Sequence, residues 1–239
     1  ISTRTRTNKG IDIIMAIDVS SSMLAQDLKP DRLSALKRVA SAFVDDRLSD
    51  RIGLVVYAGE SYTKTPITSD KSIVKGALRE IAYQGLIEDG TAIGMGLATS
   101  VNRLKDSRAK SKVIILLTDG VNNSGFIDPK IAIELAVEFG IKTYTIGLGS
   151  NGTARAPVAI LPTGEFKYGM TKVEIEEALL KEIAEATGGI YFRATDNKKL
   201  EEIYAEINKL EKTEIEEFKY YNYEEKYRLL VLLALALLF

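Results

Sequence analysis

Cysteine and histidine are both absent from these 239 residues. Without cysteine there are no disulfides, thiolate zinc sites or sulfur nucleophiles, and without histidine there is no Ser-His-Asp triad or imidazole-bound metal. Any metal must therefore be held by oxygen, which narrows the candidates to hard cations such as magnesium, calcium and manganese. An excess of either charge is missing too: 32 lysines and arginines stand against 33 aspartates and glutamates, and the two signs alternate along helix faces. No basic stripe is offered to phosphates, so nucleic acid is not an expected partner. The lack of cysteine suits reducing and oxidising compartments alike and does not locate the protein.

Long apolar runs are also scarce, with one exception at the end. Leu229 to Phe239 is uninterrupted hydrocarbon, preceded by Tyr220, Tyr221, Tyr223, Lys226, Tyr227 and Arg228. A spanning helix needs about 20 apolar residues, so this run reads as the start of a truncated transmembrane helix with an interfacial belt of tyrosine and basic residues. The other reading is a C-terminal helix docked on the domain or a partner, which usually keeps a polar face that this run lacks. The opening on Ile1 rather than methionine fits a processed form or an excerpt.

The length suits one large domain with attachments. Residues 1–10, with Arg4, Arg6 and Lys9, read as a flexible lead-in; residues 11–210 form the domain, 211–228 a juxtamembrane segment, and 229–239 the membrane run. Within the domain, apolar runs rich in β-branched residues ("IDIIMAID", "RIGLVVYAG", "KVIILLTDG", "IKTYTIGLG", "IYFRA") alternate with segments of helical spacing. Leu33, Leu36, Val39, Ala40, Phe43 and Val44 line one such helix. Ile73, Val74, Ala77, Leu78 and Ile81 line another, and Leu200, Ile203, Tyr204, Ile207 and Leu210 the last. Thr91 is expected to open a helix, Asp128-Pro129 to cap and start one, and Thr171 with Glu174 to form a capping box. Pro66 confines "SYTKTPI" to a short edge strand. The pattern predicts an α/β fold: a doubly wound, mainly parallel sheet with helices on both faces and one short antiparallel edge strand. Residues 150–170 break the alternation and read as an exposed, hairpin-like inserted loop.

In such sheets ligands gather at the carboxyl ends of the strands. Asp18, in "AIDVSSSML", and Asp119, in "LLTDG", both end buried strands and would meet on that edge. Two carboxylates brought together repel unless a proton or cation separates them. Ser20, Ser22 and Thr91 offer neutral hydroxyls there, and residues two apart in a tight loop converge on one centre. Magnesium, octahedral with oxygens at about 2.0–2.1 Å, suits Asp18, Ser20, Ser22, Thr91, Asp119 and waters. Taken singly, each residue has an ordinary reading as a loop or cap residue. Asn122 and Asn123 read as loop-shaping, Asp89 as a turn residue, and Asp27 and Glu60 as rim residues. Gly147, Gly149 and Gly152 match the dinucleotide fingerprint, but "TARAPVAILPTG" cannot supply the helix that motif needs.

Asp18-x-Ser20-x-Ser22, then Thr91, then Asp119, resembles the metal-ion-dependent adhesion site of the von Willebrand factor A (VWA) domains over about residues 10–210. Ser21 departs from the glycine common in that family. Stretches such as "GIDIIMAIDVSSSMLAQDLKPDRL" and "DRIGLVVYAGESYTKTPIT" further resemble the Bat (aerotolerance operon) branch of bacterial membrane-anchored VWA proteins. The resemblance implies a non-enzymatic module in which Mg2+, or Mn2+ or Ca2+, accepts an acidic residue of a partner protein. It also implies a periplasmic-facing domain on the inner membrane, working with other VWA membrane proteins and a MoxR-type AAA+ ATPase. A magnesium-dependent phosphohydrolase with Asp18 as nucleophile is the alternative, although Ser20 stands where that chemistry wants an acid.

Overall fold

The computed structural model describes residues 10–83, 89–150, 152–173 and 175–217. The expected lead-in before Gly10, the terminal apolar run and Glu174 lie outside the described residues. Eight strands and six α-helices follow in the order β1 (Asp12–Asp18), α1 (Arg32–Asp45), β2 (Arg51–Tyr57), β3 (Ser61–Thr68), α2 (Lys71–Glu80), α3 (Ile93–Leu104), β4 (Lys112–Thr118), α4 (Pro129–Glu138), β5 (Lys142–Leu148), β6 (Thr153–Ile160), β7 (Phe166–Lys172), α5 (Glu177–Ala186), β8 (Tyr191–Ala194) and α6 (Asn197–Glu217) among the described residues. The chain divides into two compact units, Ile1–Glu206 and Ile207–Phe239; the first holds every strand, and only the end of α6 is described in the second.

Six strands form one sheet in the order β3-β2-β1-β4-β5-β8, parallel except for β3, which pairs antiparallel with β2 at the edge. Pro66 lies in that edge strand, where its missing N–H breaks no inner ladder. All seven residues of β1 are buried, as a central strand covered on both faces requires. Its even positions, Ile14 and Ala16, join Val55, Leu97, Val101, Leu116, Ala136 and Ile183 in one core layer under α3, α4 and α5. Ile13, Met15 and Ile17 alternate to the other face, the side of α1 and α6, where the rings of Phe43 and Tyr204 meet with centroids 5.1 Å apart. Because β2 and β4 lie on opposite sides of β1, the strand order reverses at β1, and the crevice for a ligand opens at its carboxyl end.

Local chemistry explains most boundaries. Asp31, Asp70 and Asp128 cap α1, α2 and α4, each side chain accepting an N–H of the first turn, and Pro129 starts α4. Three expectations need correction. Thr171 lies in β7 rather than at a helix start, and α5 begins later at Glu177 with no side-chain cap. Thr91 precedes α3 by two residues, its N-cap position falling to Ala92. Ile73 is 52% exposed, because α2 is short and buries only Val74 and Leu78.

Residues 153–172 form an antiparallel hairpin, β6 with β7, separate from the main sheet. Its inner face packs Ala154 and Ala156 on Ala25, and Gln26 N–H donates to Arg155 O at 2.9 Å. The hairpin thus rests on the loop that follows β1. Since β6 is a strand where a dinucleotide site would need a helix, the Gly147-Gly149-Gly152 match carries no such site.

Candidate metal site

Parallel pairing of β1 with β4 sets Ile17 beside Leu117, so the next residues, Asp18 and Thr118, emerge side by side. Thr118 Oγ1 donates to Asp18 Oδ2 at 2.7 Å, and Ser20 N–H closes a tight turn onto Asp18 Oδ1 at 2.9 Å. A 3-10 turn, Ser21–Leu24, then swings the chain across the strand ends. Ser22 Oγ donates to Asp119 Oδ1 at 2.6 Å and lies 2.9 Å from Ser20 Oγ. A hydroxyl has one proton, so Ser22, having given its proton to Asp119, accepts from Ser20. Asp18, Ser20, Ser22 and Asp119 are therefore linked in one chain, with lone pairs left on both serine oxygens.

Thr91 comes to this edge from the loop before α3. Asn123 Oδ1 accepts its N–H at 2.9 Å, and its carbonyl accepts the N–H groups of Asn123 and Ser124. A Cβ on Gly120 would sit 3.0 Å from Thr91 Oγ1, so glycine at that position lets the threonine hydroxyl lie against the residue that follows Asp119. All five expected residues are thus placed at one sheet edge, from three loops, and Asp18, Ser20, Thr91 and Asp119 are buried. Asn122 and Asn123 shape the loop: Asn122 Oδ1 accepts Ile93 N–H at 2.8 Å and so caps α3 from outside its own segment.

Asp89 is a clamp on the serine loop, accepting from Ser21 N–H at 3.0 Å and Ser21 Oγ at 2.5 Å. Ser21 uses its hydroxyl on Asp89, a bond that glycine at this position would lack. Glu60 is exposed. Asp27, expected at the rim, is instead inside: it grips Arg32 through two bonds, Nε to Oδ1 at 2.8 Å and Nη2 to Oδ2 at 2.7 Å. Arg32 Nη1 reaches Asp119 Oδ2 at 2.6 Å. Arg32 escaped the sequence reading, although a signal was present. A basic residue in the first turn of a helix opposes the helix dipole and needs a partner to explain it.

Electrostatics separates the carboxylates. Burial, and then the charge of Asp119, push the Asp18 carboxyl up to about 7. Asp119 is also raised by burial, against the pull of Arg32. Burial would raise Asp27 as well, but its bonds to Arg32 outweigh that and hold it down at about 2. Asp18 forms no ion pair with a protein cation among the described residues, so its charge calls for a proton or an ion. No group of three or more carboxylates that could share one metal ion occurs among the described residues. The donor set is two carboxylates with hydroxyls, all oxygen, which fits a hard divalent cation and leaves soft metals without a ligand.

The chain belongs to the von Willebrand factor type A domain family, whose model matches residues 12–206. It is 33% identical to BatB from Bacteroides thetaiotaomicron, whose crystal structure superposes with a TM-score of 0.70 over 85% of this chain and 100% of that one. An aerotolerance-related membrane protein from Bacteroides fragilis gives 31% identity and the same TM-score of 0.70 over 85% of this chain and 100% of that one. Proximal thread matrix protein 1 of the mussel byssus, with a zinc-occupied MIDAS motif, is 26% identical with a TM-score of 0.62 over 84% of this chain and 45% of that one. An uncharacterised protein of Borreliella burgdorferi is 32% identical over 206 residues, 86% of this chain and 60% of the relative. The chain thus spans about 60% of the length of the curated relatives it matches.

Proposed function

We propose that this domain is a metal-dependent protein-binding module of a bacterial membrane protein, in which Asp18, Ser20, Ser22, Thr91 and Asp119 hold one divalent cation. The observation that carries this reading is the hydrogen-bonded chain from Asp18 through Ser20 and Ser22 to Asp119, closed by Thr118. Asp18 supplies the charge and the serines supply neutral oxygen. Asp119 accepts the Ser22 proton and so turns a lone pair of that hydroxyl inward. Mg2+ is the favoured ion, with Mn2+ and Ca2+ as chemically similar substitutes. When bound, the ion supplies a Lewis-acid position at which an aspartate or glutamate of a partner protein can complete the coordination.

The likeness to an aerotolerance-related membrane protein supports association with a bacterial membrane; the inner membrane, with the domain on the periplasmic side, is the proposed place. Among the described residues no helix is long and apolar enough to cross a membrane. Other VWA membrane proteins and a MoxR-type AAA+ ATPase are the proposed partners. The phosphohydrolase alternative gains no supporting observation: Ser20, whose hydroxyl lies 2.9 Å from Ser22 Oγ, stands where that chemistry wants an acid.

The test is a cross-linked pull-down from the source membrane with intact protein and Asp18→Ala, each with Mg2+ and with chelator. A partner retained only by the intact protein with Mg2+ is expected. Equal capture in all four arms would remove the metal from the mechanism.

A further inference from the structure

A cation that the chain itself supplies lies against the residues proposed to bind one. Arg32 is buried at the start of α1, its guanidinium split between Asp27, which takes Nε and Nη2, and Asp119, which takes Nη1. It is held from every side. Ser150 N–H donates to Asp27 Oδ2 at 2.8 Å and Leu28 N–H to Oδ1 at 3.1 Å, so Asp27 cannot swing away. A Cβ on Gly149 would lie 2.7 Å from Arg32 Nη2, so the chain between β5 and the hairpin leaves room for this side chain. With Ser22 on one oxygen and Arg32 on the other, Asp119 is engaged on both.

We infer that Arg32 is a charge-balancing, positioning residue that sets the cation affinity of the site; the inference rests on the metal reading above. When all three are ionised, Asp18, Asp27 and Asp119 against Arg32 leave two negative charges, the amount one divalent ion cancels. Removing Arg32 would leave a third, buried and unmatched, and would draw a cation more strongly. Neutralising Asp27 does the reverse: Arg32 keeps its full charge beside Asp119 and the pull on a cation falls. The two changes therefore move affinity in opposite directions. A residue that merely supported the fold would lower affinity in both.

Calorimetric titration of chelator-stripped protein with Mn2+ decides this, using wild type, Arg32→Gln, Arg32→Lys and Asp27→Asn, each checked for a cooperative melt. Arg32→Gln is expected to bind Mn2+ about tenfold tighter, Asp27→Asn about threefold weaker, and Arg32→Lys within about threefold of wild type. Unchanged or weaker binding in Arg32→Gln overturns the inference, and so does tenfold tighter binding in Arg32→Lys, which keeps the charge. If Arg32→Gln does not fold, Asp27→Asn carries the test, and unchanged or tighter binding there overturns it. Wild type that takes up no Mn2+ removes the metal reading itself, whereas wild-type uptake with same-sign variants removes only the role of Arg32.

Discussion

The two ends of β1 each bury an aspartate, Asp12 at 1% exposure and Asp18 at 0%, but they are satisfied differently. Asp12 meets a guanidinium: Arg51 Nε donates to its Oδ1 at 2.8 Å, Arg51 Nη2 reaches the other oxygen, and Ser107 Oγ adds a third bond. Asp18 has no guanidinium among the described residues: Thr118 Oγ1 and Ser20 donate to it, with a second carboxylate, Asp119, close enough to raise it. The same strand thus carries one aspartate whose charge the fold answers and one whose charge it leaves for something else. On the proposed reading, that asymmetry separates a structural carboxylate from a metal-binding one.

Substitutions at the two ends should separate cleanly. The largest effect is expected for Asp18→Ala, which should reduce Mn2+ affinity by at least about 100-fold by calorimetry and abolish the rise in Tm on adding Mg2+. Without metal, the raised Asp18 carboxyl makes the protein's stability depend on pH with a definite sign. Its folded value is about 7 against 3.8 when free, so the native state binds more protons between those values. The Asp18 contribution to stability should therefore be full below about pH 4, fall as pH rises to about 7, and then level off, while Asp27, held at about 2, works in the opposite direction below about pH 4. Asp18→Asn should flatten that slope in urea titrations of metal-free protein, and saturating Mg2+ should raise stability most on the alkaline side.

Next in size, Asp12→Ala should destabilise by about 1–3 kcal/mol through loss of a buried acceptor, toward the lower end because Arg51 is half exposed. Its Mn2+ affinity should match wild type, and a large fall would erase the contrast between the two ends. Gly120→Ala places a methyl against Thr91 Oγ1 and should weaken Mn2+ by about tenfold with a nearly unchanged urea midpoint, since only the threonine hydroxyl must move. The smallest effect belongs to Ser21→Gly, which frees the loop from Asp89 Oδ2 but keeps its N–H bond, lowering Tm slightly and Mn2+ affinity by about twofold.

The sheet was legible because its inner strands are short, continuous runs rich in β-branched residues, two of them leading to Asp18 and Asp119, and that length and composition set them apart from the flanking helices. The site was legible as a set of oxygens on strand ends. What stayed hidden depends on side chains meeting across long separations. Arg32 and Asp119 are far apart in the chain, and nothing local says that the guanidinium turns inward rather than toward solvent. Asp27 was misplaced at the rim for the same reason: its partners are Arg32 and the N–H of Ser150 from the loop before the hairpin. Thr118, beside Asp119 in "LLTDG", gave a weaker sign, since strand alternation says it faces away from its neighbour but not toward which carboxylate. Ile73 shows the limit of periodicity, because a stripe marks what a helix could bury, and the width of the surface beneath α2 decides what it does bury.

Anomalous diffraction from crystals of the metal-stripped protein soaked in Mn2+ shows whether a cation sits at the carboxyl end of β1. A single strong peak ringed by Asp18, Ser20, Ser22, Thr91 and Asp119, with Asp119 still accepting the Ser22 hydroxyl, is expected. A protein that binds Mn2+ elsewhere, with this edge empty and Asp18 simply protonated, would contradict that expectation.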